Sequence, residues 1–234
     1  MIKGIKTLPK HIAFIIDGNG RWAKEKGLTR SMGHRAGFKT LEKIIKECFY
    51  TYGIPHVSIY AFSTENWNRP QKEVDYLIKI FRTYMGKSFK TSYPEARLNV
   101  MGDYTKFPED VAENARTTME ETKHNTKFTL NLGVNYSGRD ELVYAVNNII
   151  SEGITEVDKD IIDAHLYTGG QPPLDFLVRT SGENRVSNFM LWQIAYAEFY
   201  FPKTYWPAFS KKDLHEALKV FESRNRRFGA IKEE

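Results

Sequence analysis

The run His11-Ile12-Ala13-Phe14-Ile15-Ile16 passes directly into Asp17-Gly18-Asn19-Gly20-Arg21-Trp22, and this junction constrains the fold more than any other stretch. An apolar run this short reads as one buried strand. Two glycines bracketing Asn19 stop it. Glycine turns the backbone tightly and lets a ligand approach amide N–H groups with no side chain in the way. Arg21 adds a planar fork of donors suited to phosphate oxygens. Residues 21–26, closed by Gly27, can form a short helix whose first amides face the same anion. Strand, glycine turn, arginine and helix start together make a diphosphate cradle. A carboxylate beside phosphates is repelled unless a cation lies between them, so Asp17 implies a bound Mg²⁺. The spacing is not the dinucleotide fingerprint, which needs a third glycine, nor a Walker loop, which needs Gly-Lys-Ser/Thr. From this stretch alone, a structural turn remains the alternative.

Beyond the junction, strand-like runs alternate with helical periodicity. Residues 38–52 carry apolar side chains at helical spacing (Phe38, Leu41, Ile44, Ile45, Cys48, Phe49). Just before them, Arg30 and His34 stand four apart, so in a helix they share a face and aim at the cradle. A second strand, 56–62, empties into Ser63-Thr64-Glu65-Asn66-Trp67-Asn68-Arg69-Pro70, a polar cluster of the kind open α/β sheets place at their sites. A capped turn into the next helix is the plainer reading of that cluster. Residues 74–89 read as one long amphipathic helix, 96–101 as a strand, 108–124 as a polar helix and 128–134 as a strand. A helix over 140–152, a small one beginning near Asp158 and a strand over 174–178 follow. That last strand ends in a second anion-binding cluster, Arg179-Thr180-Ser181-Gly182-Glu183-Asn184-Arg185-Val186-Ser187-Asn188. Residues 189–196 read as an apolar helix, and Glu198 stands among Ala, Phe and Tyr, where a carboxylate needs a partner: a cation shared with Asp17 or an arginine. A helix over 211–224 and a basic tail close the chain. The economical reading is one α/β domain over 1–234, core 11–229, with a mainly parallel sheet flanked by helices.

With 41% hydrophobic and 27% charged residues in 234, the composition is that of a globular protein. Fifteen Phe and thirteen Tyr allow either a bulky core or a lined apolar cavity. The net charge of +5 is spread along the chain with no nucleic-acid-binding pattern, so an anionic small substrate accounts for it and nucleic acid does not. The one cysteine, Cys48, excludes an intramolecular disulfide. Without a signal segment or an apolar run near eighteen residues, the chain is expected in the cytoplasm, with a membrane-surface contact left open.

Two phosphate-type clusters, an isolated carboxylate pair and aromatic-rich helices point to diphosphates carrying greasy chains. Here the sequence resembles the cis-prenyltransferases of the undecaprenyl diphosphate synthase type. The matching blocks are HIAFIIDGNGRWA, GHRAG, YAFSTENWNRP, LNLGVNYSGR, DFLVRTSGENRVSNFMLWQIAYAEFYF, WPAF and RNRRFG, in order from His11 to Gly229. Ser137, Thr64 and Ala230 depart from the residues most usual in those blocks. The resemblance implies a six-stranded, mostly parallel sheet, a homodimer, Mg²⁺, and cis addition of isopentenyl diphosphate to farnesyl diphosphate. The long product would be undecaprenyl diphosphate for a cell-wall lipid carrier. Shorter-chain synthesis and a non-catalytic partner subunit are the alternatives, the second disfavoured because Asp17, the cradle and both arginine clusters are kept.

By the same resemblance Asp17 and Glu198 hold the metal, and Arg179, Arg185 and Ser187 hold isopentenyl diphosphate, joined by Arg227 and Gly229 of a partner subunit. Gly18, Asn19, Gly20, Arg21, Arg30 and Arg69 receive the allylic diphosphate, with Trp22, Thr64, Glu65 and Trp67 carried in by their motifs. Asn66, His34 and Ser63 stand near the departing proton. The hydrocarbon chain is expected along Leu77, Ile80, Phe81 and Met85, closed by Leu130 or Leu132, with helix 38–52 opposite. The aspartate-rich Asp-Asp-x-x-Asp motifs of trans-type synthases are absent.

Overall fold

The structure, a computed structural model, describes residues 4–224. Its strands are β1 (His11–Ile15), β2 (His56–Ser63), β3 (Ala96–Met101), β4 (Phe128–Tyr136), β5 (Phe176–Arg179) and β6 (Glu198–Tyr200). They form one six-stranded sheet in the order β3-β4-β2-β1-β5-β6, and each neighbouring pair is parallel. Parallel neighbours need long crossovers. The connecting helices are α1 (Asn19–Glu25), α2 (Arg30–Lys46), α3 (Gln71–Thr83), α4 (Phe89–Ser92), α5 (Glu109–Thr122), α6 (Gly138–Ser151), α7 (Lys159–His165) and α8 (Lys211–Ser223).

All five residues of β1 are buried because both faces of the sheet are covered. Ile12 and Phe14 point into the core built with α2, α3, α5 and α8, where Leu41, Leu77, Val111 and Leu218 pack. Ala13 and Ile15 point the other way, against Leu174, Leu177, Phe189 and Met190. Local chemistry starts the helices. Thr29 caps α2 by accepting from Met32 N, Asp158 caps α7 through Ile161 N, and Ser210 with Asp213 forms a capping box on α8.

Two expectations need correction. The helix expected over 74–89 breaks: α3 ends at Thr83, a π-turn spans Tyr84–Ser88, and Gly86 takes φ −118°, ψ −143° before α4. Thr118 Oγ1 donates to Met85 O at 2.9 Å, giving a partner to a carbonyl at the break. The apolar helix expected over 189–196 is a set of turns with a short 3₁₀ piece at Gln193–Tyr196, because Ser187, Asn188 and Met190 all hold positive φ. The sequence assigns no element to β6, which at three residues is too short for any periodicity to announce it.

Candidate active site

Pairing Ile15 with Tyr60 on one side and Arg179 on the other brings the C-terminal ends of β1, β2 and β5 together. The three polar clusters seen in the sequence therefore leave the sheet at one edge. Between them opens a cavity of about 610 Å³. Its mouth is polar, with Asp17, Gly18, Asn19, Gly20, Arg21, Arg30, His34, Ser63, Glu65, Asn66, Arg69, Arg179 and Ser187. Its depth is hydrocarbon, with Phe38, Leu41, Leu77, Ile80, Phe81 and Leu132. Met85 and Leu130, expected along the same lining, are buried in the core instead.

The cradle depends on Gly18. Its φ is +105°, and a Cβ there would lie 2.2 Å from Ser181 Oγ, so neither conformation nor space admits a side chain. The first intrahelical bond of α1 runs from Trp22 N to Gly18 O, which leaves the amides of Asn19, Gly20 and Arg21 without an i−4 carbonyl. Behind the cradle, α2 lies against α1 closely enough that a Cβ on Gly33 would meet Asn19 O at 2.2 Å. One on Gly37 would meet Asn19 Oδ1 at 2.0 Å. The Gly-His-Arg-Ala-Gly block thus sets the close approach of two helices while delivering Arg30 and His34 to the cavity.

Asp17 sits between two arginines, Oδ1 at 3.1 Å from Arg21 Nη2 and Oδ2 at 3.1 Å from Arg179 Nη2. Arg179 is 4% exposed and also donates Nη1 to Ser187 Oγ at 2.7 Å, so it ties the two clusters together. Its buried Nε has no hydrogen-bond partner among the described residues. Glu183 bridges the clusters from outside, 2.7 Å from Arg21 Nη1 and 2.6 Å from Arg185 Nη1. The left-handed turn at Ser187 and Asn188 is clamped by β2 and by the exit of β4. Tyr60 Oη donates to Ser187 O at 3.2 Å, Asn188 Nδ2 to Ser137 Oγ at 3.0 Å, and Gly138 N to Asn188 O at 2.7 Å.

Ser63 and Asn66 form a reciprocal cap of the 3₁₀ segment Thr64–Asn68, with Asn66 Nδ2 donating to Ser63 Oγ at 2.8 Å. The cap belongs to this 3₁₀ segment and not to α3, whose N-cap Pro70 has no side-chain cap, so the expected capped turn into the next helix is found one element early. Both side chains face the cavity. Trp67 turns away, its Nε1 donating to Asn135 Oδ1 at 2.8 Å and its ring packing on Phe62 and Phe107. Thr64 faces a second cavity, beside Asp103 and Tyr144. Trp22 and the half-exposed Arg185 are not part of the wall.

One group absent from the sequence reading dominates the far side of the mouth. Glu73 is 6% exposed and meets two arginines and a histidine: His34 Nε2 at 3.0 Å, Arg69 Nη1 at 3.1 Å and Arg30 Nε at 3.3 Å. In sequence it is an ordinary first-turn acid of α3, and no spacing rule links it to residues forty positions upstream. Burial pushes the His34 imidazole below its usual range, with Glu73 opposing the shift.

Glu198 does not come to Asp17. It pairs with Phe176, which lies beside Ile12, so it opens β6 at the N-terminal edge of the sheet while Asp17 lies beyond the C-terminal edge. Its Oε2 lies 4.0 Å from Arg224 Nε. Arg227 and Gly229 lie outside the described residues. No group of three or more His, Cys, Asp or Glu positioned for a metal exists among the described residues. A lone carboxylate beside a diphosphate cradle nevertheless suits Mg²⁺, which is commonly held by one or two carboxylates together with substrate phosphates and water. No described helix is long and apolar enough to cross a membrane.

The chain's relatives carry the same architecture. A family model for undecaprenyl diphosphate synthases (Prenyltransf) matches residues 15–229. The isoprenyl transferase of Fusobacterium nucleatum is 46% identical, over 97% of this chain and 98% of its own, and that of Clostridium perfringens 44% identical, over 96% and 91%. Among solved structures, lavandulyl diphosphate synthase from Lavandula x intermedia, in complex with dimethylallyl diphosphate, superposes with a TM-score of 0.88 at 33% identity, covering 95% of this chain and 98% of its own. A probable undecaprenyl diphosphate synthase from Campylobacter jejuni does so with a TM-score of 0.78 at 31% identity, covering 96% and 100%. The fold, the cradle at its sheet edge and these matches agree, and the chain belongs to the isoprenyl transferase family of undecaprenyl diphosphate synthases.

Proposed function

We propose that the enzyme extends farnesyl diphosphate by repeated cis addition of isopentenyl diphosphate, to undecaprenyl diphosphate for a cell-wall lipid carrier, within one catalytic domain over 1–234 with its core at 11–229. The observation that carries this reading is a single cavity joining a donor-lined mouth to a hydrocarbon depth. A growing prenyl chain must be buried, since each CH₂ left in water forgoes about 0.8 kcal/mol.

In each cycle C4 of isopentenyl diphosphate attacks C1 of the allylic substrate, the C1–O bond breaks with its electron pair going to diphosphate, and a proton leaves C2. The amides of Asn19 to Arg21, with Arg30 and Arg69, bind the departing diphosphate and stabilise its growing charge. Arg185 and Ser187, backed by Arg179, hold isopentenyl diphosphate, so the two reactants meet over Asp17. The Ser63–Asn66 pair orients the C2 hydrogen; a neutral amide is a poor base and serves to position. Asp17 would hold Mg²⁺, which when bound supplies Lewis-acid neutralisation of the diphosphates. Glu198, Arg227 and Gly229 would serve the site from the partner subunit of a homodimer. The buried, unpaired Cys48 suits a reducing cytoplasm, with a membrane surface met on product release.

Incubation with farnesyl diphosphate, labelled isopentenyl diphosphate and Mg²⁺, followed by sizing of the products, tests the proposal. Products near eleven isoprene units are expected. Products of one or two additions would replace the undecaprenyl assignment with short-chain synthesis, and no product at all would overturn the reading.

A further inference from the structure

We propose that Glu73 is a positioning residue: its buried carboxylate gathers Arg30, His34 and Arg69 at the cavity mouth and fixes the His34 ring with Nε2 as donor, leaving Nδ1 as the basic atom. The proposal rests on reading this mouth as the allylic diphosphate site. Arg30 and Arg69 bind the same anion and repel one another when it is absent, and His34 stands beside them. A carboxylate among them holds all three in place, and donors ordered beforehand lose less freedom when the anion arrives. The geometry has that form. Glu73 Oε1 accepts from both His34 Nε2 and Arg69 Nη1. Oε2 is buried, and its ion pair with Arg30 lies off the hydrogen-bond direction, so it accepts no hydrogen bond among the described residues. Arg30 in turn passes over the cradle, its Nε 3.0 Å from where a Cβ on Gly20 would stand. Glu73 is thus linked through Arg30 to the turn that binds phosphate.

Because a carboxylate can only accept, the His34 nitrogen facing it carries the hydrogen. The charged groups around this ring are Glu73 of α3, Arg69 of the segment before it and Arg30 of the ring's own helix, with Asp17 and Arg21 lining the same cavity from the β1–α1 turn. Glu73 raises the affinity of the ring for a proton, while burial and the two nearest arginines lower it. Replacing the carboxylate by an amide therefore moves His34 titration to lower pH.

The test compares wild type, Glu73→Gln and Glu73→Asp in steady-state kinetics with farnesyl and isopentenyl diphosphates across pH. Glu73→Gln is expected to raise KM for farnesyl diphosphate about tenfold while leaving that for isopentenyl diphosphate within about twofold. The acid limb of kcat should move to lower pH, and Glu73→Asp should recover part of the lost affinity. Equal changes in both KM values, an unmoved acid limb, or an aspartate variant no better than glutamine would overturn the proposal. Nitrogen-15 histidine spectra of the wild type decide the matter if the variants do not fold. His34 protonated at Nε2 supports the positioning role, and protonation at Nδ1 refutes it. A wild type that makes no prenyl product would refute the substrate assignment instead, leaving the spectra to judge the Glu73–His34 pair.

Discussion

Arg179 and Arg185 stand six residues apart, yet their environments give them different work. Arg179 is buried and spends its guanidinium on Asp17 and Ser187, whereas the Arg185 side chain is 61% exposed and pairs with Glu183. Arg185→Ala is expected to raise KM for isopentenyl diphosphate about tenfold, from loss of one charge-assisted bond. Its unfolding free energy should stay within about 0.5 kcal/mol of wild type, as for most surface substitutions. Arg179→Ala should instead weaken the fold by on the order of 2 kcal/mol, because it removes the buried donor that pairs with Asp17 Oδ2 and holds the Ser187 turn, while Arg21 still pairs with Asp17. Urea titrations beside two-substrate kinetics would separate the two. A stable Arg179→Ala that lost only isopentenyl diphosphate affinity would contradict this division.

At the scale of elements, a buried polar row stitches four strands to the loop that covers them. His11 Nδ1 donates to Pro172 O at 3.0 Å, so Nε2 accepts from Ser58 Oγ at 2.7 Å. Ser58 accepts from Asn131 Nδ2 at 3.0 Å, and Asn131 Oδ1 accepts from Asn99 Nδ2 at 2.7 Å and from Gln171 Nε2 at 2.9 Å. Protonating His11 removes the acceptor in this chain, and burial lowers its pKa from 6.5 to about 4. The unfolded chain takes up the proton first as pH falls. The stabilisation is therefore complete above about pH 6.5 and drains away between there and about pH 4, by about 3 kcal/mol. His34 and His56, also shifted down by burial, add in the same direction. Denaturant melts across this window should show the loss, with a shallower slope for His11→Gln; equal slopes would clear His11 of the effect.

Over the whole molecule, the position of Glu198 is decisive. Asp17 stands five positions beyond Ile12, the β1 residue level with Glu198, and the three strand steps from Ile12 to Ile15 alone put about 10 Å between the two along the sheet before any lateral offset. Within one chain they cannot share a cation. If Glu198 serves a partner's site, Asp17→Ala and Glu198→Ala chains should each be inactive as homodimers. Mixed, they should recover up to about a quarter of wild-type activity, since half the dimers are mixed and each rebuilds one site of two. Turnover of labelled isopentenyl diphosphate after co-refolding reads this directly. No recovery would remove Glu198 from the site.

The sequence by itself determined the alternating α/β order, the cradle after β1, and the two other polar clusters at the ends of β2 and β5. Each is local chemistry: a short apolar run, glycines at a turn, arginines beside hydroxyls, capping residues ahead of a helix. Arg30 and His34 were legible too, because spacing of four on a helix fixes a shared face. Tertiary structure alone decided the rest. Glu73 is an unremarked helix-start acid until folding sets it between two arginines and His34. Trp67 leaves the site because Asn135 and the Phe62–Phe107 cluster claim it. Residues 189–196 have an apolar composition that suits a helix, and the turn clamped by Tyr60, Ser137 and Gly138 denies them one. Register sent Glu198 to the opposite edge of the sheet, and strand pairing is a property of two distant segments that neither contains alone.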